Sequence, residues 1–196
     1  MKDREYIDRT ILALRLKYKE YVEEGSFLED KVFIGTEKIP LQREELFEGK
    51  CSILLPSILT DMDKRTQRIK YKNENRPPII KGDSGQNAAI TFQMIKEEKE
   101  TSRKSIIEKR NKLKEDMRKI WKQYVFYDTG EVEGENDKVA WMDFKSFCLD
   151  NQLYCLIFLF YIEEQIVLGN FHCLFPQYNL WKPAILKSIG TVQING

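Results

Sequence analysis

Across residues 124–173 apolar side chains recur at every second position, and on either side of this stretch the spacing changes to three and four. The period-two region divides into strands at 125–132, 139–148, 153–162 and 166–173, separated by short polar runs at 133–137, 150–151 and 163–164. Connections this short join antiparallel neighbours, so the pattern predicts a four-strand meander. Upstream, residues 31–56 carry short apolar runs broken by Gly35-Thr36, Pro40 and Gly49. That predicts a hairpin and then a third strand at 51–55, closed by Pro56. A polar stretch at 60–70, with Thr60 and Asp61 as candidate caps, predicts a short helix before an extended segment at 69–71. Pro77, Pro78, Gly82 and Gly85 punctuate a loop around a brief strand at 79–80, and the alternating residues 88–95 return to the sheet. All these strands are expected in one sheet.

Helical spacing occupies the rest. Residues 3–24 place Ile7, Ile11, Leu14, Tyr18 and Tyr21 four, three, four and three apart, an amphipathic helix stopped at Gly25. A long polar helix is expected over 97–123, with Ile106, Leu113, Met117, Ile120 and Trp121 as its stripe and the nearly apolar-free turns of 96–105 projecting or frayed. Residues 176–189 close the fold with Tyr178, Trp181, Ile185 and Ile189. The sum is an α+β chain: an N-terminal helix over 1–30 and a single domain over 31–196, an antiparallel β-sheet flanked by helices.

Composition narrows the function classes. The 196 residues hold 32 Lys plus Arg against 31 Asp plus Glu, so a formal net charge of +1 removes global basicity as an argument for nucleic acid. A chain of this length can build its core without metal or disulfides. Cys51, Cys148, Cys155 and Cys173 lack the two-to-four-residue pairing of zinc sites, and read as free thiols. The longest apolar run, 153–162, is half of the ~20 residues a membrane-spanning helix needs, and reads as a core strand. The first ten residues, MKDREYIDRT, are charged from the second onward, unlike a secretory leader, so a cytosolic protein is expected.

Candidate chemistry is sparse. His172 is the only histidine, and its neighbour Cys173 points to the opposite face of a strand, so the two cannot form a local pair. A nucleophile from another strand with His172 as base stays open. Residues 96–122 carry 11 bases and 6 acids, a local excess of five positive charges. This suits either a solvated face or a contact for an acidic partner or phosphate-rich polymer, although the aromatic interleaving of a single-strand groove is missing. Lys81-Gly82-Asp83-Ser84-Gly85 lacks the spaced glycines and the Gly-Lys-Ser/Thr ending of a phosphate loop, and Asp143 and Asp150 show no pairing that marks acid/base work. No catalytic residue, cofactor or metal is expected.

Four stretches carry a family resemblance: CSILLPSILTDM from residue 51, IKYKNENRPPIIK from residue 69, VAWMDFKSFCLDNQLYCLIFLFYIEEQIVLGNFHC from residue 139 and LWKPAILKSI from residue 180. Their order resembles the PsbP-like fold, shared by DcrB-like proteins, Eag-type chaperones of secreted effectors and the Ran-binding import factor Mog. The resemblance spans residues 31–194 and implies a fold that works by binding. With the missing leader, it makes the Eag-type chaperones the nearest functional analogue. The expected function is therefore a non-enzymatic, cytosolic protein-binding module, a chaperone or adaptor for a secreted effector or envelope protein. Dense aromatic residues in the last third supply the candidate binding surface: Phe144, Phe147, Tyr154, Phe171 and Trp181. They bind a partner if the sheet face is open, and are core if helices cover it. Ile7, Ile11, Leu14 and Tyr18 form a candidate dimer seam or a lid over that face. Two alternatives stay open: an enzyme with an unrecognised site, and a nucleic-acid binder using the basic helix 96–122.

Overall fold

The computed structural model describes residues 30–85, 87–95, 105–134, 138–148 and 151–195. The expected N-terminal helix, with Ile7, Ile11, Leu14 and Tyr18, lies outside the described residues, as do 96–104 and Asp150. Eleven strands are described: β1 (Lys31–Ile34), β2 (Glu37–Leu46), β3 (Cys51–Pro56), β4 (Thr60–Asp61), β5 (Ile79–Gly82), β6 (Ala88–Ile95), β7 (Val125–Glu133), β8 (Lys138–Phe147), β9 (Gln152–Ile162), β10 (Gln165–Leu174) and β11 (Gln193–Ile194). The helices are α1 (Lys64–Lys70), α2 (Ile106–Ile120) and α3 (Tyr178–Ile189), with a 3₁₀ turn at Phe175–Gln177 before α3.

The meander forms as the alternation predicts: β7, β8, β9 and β10 pair in sequence, all antiparallel. β10 continues onto β6, β5 and β4, completing a seven-stranded sheet. The expectation of one sheet needs correction. β1, β2 and β3 form a separate four-stranded sheet, closed by β11 on β3. Gly35, at φ +66°, makes the tight β1–β2 turn in the left-handed region that glycine favours. The split has a burial cause: Leu46, Cys51, Ile53 and Leu55 turn one face of the small sheet onto the large one and join its core.

β9 is buried on both faces, as its unbroken apolar run requires. Tyr154, Leu156, Phe158, Phe160 and Ile162 meet the small sheet and α3, while Cys155, Ile157, Leu159 and Tyr161 lie on the face that α2 covers. Trp181, Ile185 and Ile189 of α3 join the inter-sheet core, and Ala184 meets Val32 and Ile39 of the small sheet. Lys81 ties the layers electrostatically, from β5 to Glu44 of β2 and Asp61 of β4, both at 2.7 Å. The segment that looked like a phosphate loop therefore has its lysine already engaged.

Two helix expectations are corrected. Asp63, not Thr60 or Asp61, caps α1 through bonds to the Arg65 and Thr66 amides, because Thr60–Asp61 pair as a strand with β5. The long helix does not run unbroken from 97. Ser105 is the N-cap of α2, in a capping box with Glu108. Ser-Ile-Ile-Glu is the sequence signature of that box.

Candidate partner-binding surface

Nine large apolar side chains are prominently exposed among the described residues, and five of them gather at one corner: Ile120, Trp121, Val125, Tyr127 and Phe147. The corner is the end of the large sheet where β7 begins, β8 ends and β10 runs into the 3₁₀ turn. Cross-strand register brings it together, Val125 facing Lys145 and Phe147 facing Gln152. Ring contacts then extend it along each face of the sheet. Trp121 stacks on Tyr124 at 5.6 Å and Tyr124 on Phe144 at 5.3 Å, while on the other face Tyr127 stacks on Phe175 at 6.2 Å and Phe175 on Tyr178 at 5.3 Å. The Lys145 ammonium stands 4.3 Å over Phe175 and 5.2 Å over Phe147, a cation held on aromatic faces at the rim.

Of the five residues picked from the sequence, only Phe147 reaches this surface. Tyr154, Phe171, Trp181 and Phe144 are buried. Phe171 packs on Trp181 at 5.3 Å, Tyr154 on Tyr178 at 5.6 Å, and Phe144 lies under Tyr124 and Phe126. The second sheet and α3 cover one face and α2 the other, so these four side chains offer a partner nothing in this conformation. Sequence reasoning passed over Val125-Phe126-Tyr127. Three consecutive bulky side chains on an edge strand put apolar groups on both faces, and an edge strand is covered least.

Asp143 is wholly buried and is bonded on both oxygens. Its Oδ1 accepts the Asp128 amide at 2.7 Å, and its Oδ2 accepts the Tyr154 hydroxyl at 2.9 Å and the Lys182 ammonium at 2.7 Å. Lys182 also reaches Asp128 at 2.7 Å and stands 5.3 Å over the Trp141 ring. Burial works against the Lys182 charge, but the hydrogen bonds to Asp128 and Asp143 outweigh it and hold the amine above its ordinary value. A carboxylate bound on both oxygens pins α3 to β7 and β8.

Cys155 is directly opposite His172 on β9 and β10, an arrangement that sequence spacing alone could not supply. The pair is not in a nucleophile's state. Burial raises the thiol to about 11, while its sulfur meets the Ser146 hydroxyl at 3.4 Å. Burial, then the Lys70 charge, lowers His172 to about 4, with Tyr71 edge-on to its ring at 6.2 Å. At neutral pH the sulfur keeps its proton and the imidazole is uncharged, the reverse of the thiolate–imidazolium pair that activates cysteine. Among the described residues, no group of three His, Cys, Asp or Glu could hold a metal ion, and no helix is long and apolar enough to cross a membrane.

The architecture has solved counterparts. Cyanobacterial PsbP (CyanoP) from Synechocystis superposes with a TM-score of 0.57 at 8% identity, covering 79% of this chain and 92% of its own. The fold is PsbP-like. The Ran-binding protein Mog1p of Saccharomyces cerevisiae superposes with a TM-score of 0.53 at 10% identity, over 80% of this chain and 96% of its own. No protein-family model matches the sequence, and no curated protein matches it. At such identities the likeness is one of PsbP-like backbone, and the residues of the exposed corner stand on this chain's own chemistry.

Proposed function

We propose that the protein is a non-catalytic, cytosolic protein-binding module that holds an apolar segment of its partner on the corner formed by Ile120, Trp121, Val125, Tyr127 and Phe147. In this reading it serves as a chaperone or adaptor for a secreted effector or envelope protein. The observation that carries it is the gathering of exposed apolar side chains at one place. Scattered exposed side chains are ordinary, whereas a contiguous patch marks an interaction surface. The uncharged Cys155–His172 pair and the Asp143 carboxylate, engaged on both oxygens, favour binding over catalysis. A fold shared with a Ran-binding protein is compatible with such a role, by analogy of architecture.

The test is site-specific photo-crosslinking in the native host. A photoreactive residue at Tyr127 or Phe147 should give a discrete adduct with an exported or membrane-active protein, and one at Lys64, on exposed α1, should not. Adducts only between copies of the chain would make the corner a homodimer interface instead. No adduct above the Lys64 control, or substrate turnover lost on His172→Ala, would overturn the reading.

A further inference from the structure

Beside the apolar corner runs a cationic stripe. Arg110, Lys114 and Arg118 follow one another at intervals of four on α2 and therefore share a face. Arg110 is buried and spent, since its guanidinium donates to the carbonyls of Gly130 and Trp141 at 2.9 and 2.8 Å. Lys114 and Arg118 reach past the sheet edge to the same ring, standing 5.7 and 5.3 Å from the centre of Phe126 on β7. Neither has a carboxylate at ion-pair distance among the described residues. The acids whose fields Lys114 feels, Asp143 and Asp128, are both already bridged by Lys182. Two cations are thus held over one ring without an anion. Burial, and then repulsion from Arg118 and Arg110, lowers the Lys114 amine. A carboxylate placed between them relieves that repulsion and forms charge-assisted hydrogen bonds in a partly desolvated site.

We propose that this pair receives the acidic residues of a partner segment whose apolar residues lie on Ile120 and Trp121. The inference rests on the corner being a protein-binding surface and adds the partner's chemistry. The seven steps from Lys114 on α2 to its C-cap Trp121 span about 10 Å. An extended peptide covers that length in roughly three residues, so acid and apolar anchor stand about three positions apart. Charge complementarity fixes the acidic end, and the neighbouring side chains fix the other. Ile120 is aliphatic, and one face of Trp121 is taken by Tyr124 at an interplanar angle of 10°, which suits a peptide side chain better than a run of stacked bases.

The experiment is fluorescence anisotropy on the full chain with three labelled probes. One is a peptide with two glutamates followed, three positions later, by leucine and phenylalanine. The second has glutamine in place of both glutamates, and the third is a single-stranded oligothymidine. The acidic peptide should bind about tenfold more tightly than its glutamine twin. Lys114→Glu with Arg118→Glu should erase that difference and leave the glutamine peptide unchanged, while Trp121→Ala weakens both peptides. The neutral pair Lys114→Gln with Arg118→Gln, which adds no buried repulsion, should erase it as well and guards against misfolding of the reversed variant. Equal binding of the two peptides, binding indifferent to both charge variants, no peptide binding at all, or preference for oligothymidine would each overturn the proposal. None of these results touches the crosslinking at Tyr127 and Phe147. Crosslinks without charge dependence thus leave the module reading and remove this one, whereas charge-dependent peptide binding without crosslinks does the opposite.

Discussion

At Gly169 a methyl group would clash with the far edge of the Phe158 ring, its partner across β9 and β10. Gly169→Ala should therefore cost about 1–3 kcal/mol through overpacking. Phe158→Leu should recover part of that loss in the double variant, read by urea denaturation of both singles and the pair. A wild-type midpoint for Gly169→Ala would show that the ring does not lie there. His172 supplies a pH dependence. The unfolded chain takes up a proton near the ordinary 6.5 and the folded one only near 4, because burial and Lys70 disfavour the charge. Between those values the unfolded state binds more protons, so stability falls as pH drops through 6.5 and levels off below 4, a total of about 3 kcal/mol. His172→Phe should flatten that segment of the stability–pH curve. Breaking the buried network is costlier: Asp143→Ala strips Tyr154 of its acceptor and leaves Lys182 only the exposed Asp128, and should lose ~3–5 kcal/mol, measured the same way.

Elements end where local chemistry stops them. Ser105 starts α2 with a reciprocal pair of bonds to Glu108, so Ser105→Ala should cost about 1 kcal/mol and reduce helical circular dichroism, while Ser105→Asp should hold both near wild type. At the far end α2 stops at Ile120, with Trp121 as C-cap, so the last members of the apolar stripe are left exposed rather than laid on the sheet. β7 is a nine-residue edge strand, and its register breaks between Phe126 and Thr129. That irregularity, with Asp128, Glu131 and Glu133 along the strand, discourages a foreign strand from adding to the edge. Contact through side chains at the corner, rather than strand addition, fits such an edge.

On the scale of the molecule, the two sheets share one core. Residues from β3, β6, β9, β10 and α3 belong to the same buried cluster, and Lys81 bridges the layers. The sheets should therefore unfold together. Tryptophan fluorescence of a Trp121→Phe variant, which reports Trp141 and Trp181 in that cluster, and far-ultraviolet circular dichroism should give coincident urea transitions. A fluorescence transition at lower urea would mean that the small sheet and α3 detach first. Replacing the corner's Phe147 by Ser should leave this transition within about 0.5 kcal/mol of wild type, since an exposed side chain gives up little core.

The strand meander was legible in the sequence because alternation is a local property: a residue and its second neighbour share a face whatever else the chain does. The unbroken apolar run at 153–162 likewise read as a core strand. What covers those faces was decided by tertiary structure. β3 pairs with β11 from the far end of the chain, a partnership no local period encodes, and that pairing completes the second sheet that closes over Tyr154, Phe171 and Trp181. The aromatic density that reads in the sequence as a binding face is core for this reason. Cross-strand register set Cys155 opposite His172 and, with burial, gave both their neutral forms. The same long-range register drew the stretch from Ile120 to Tyr127 beside Phe147. Helix and strand periods state which residues share a face, but only packing determines which faces are left to solvent.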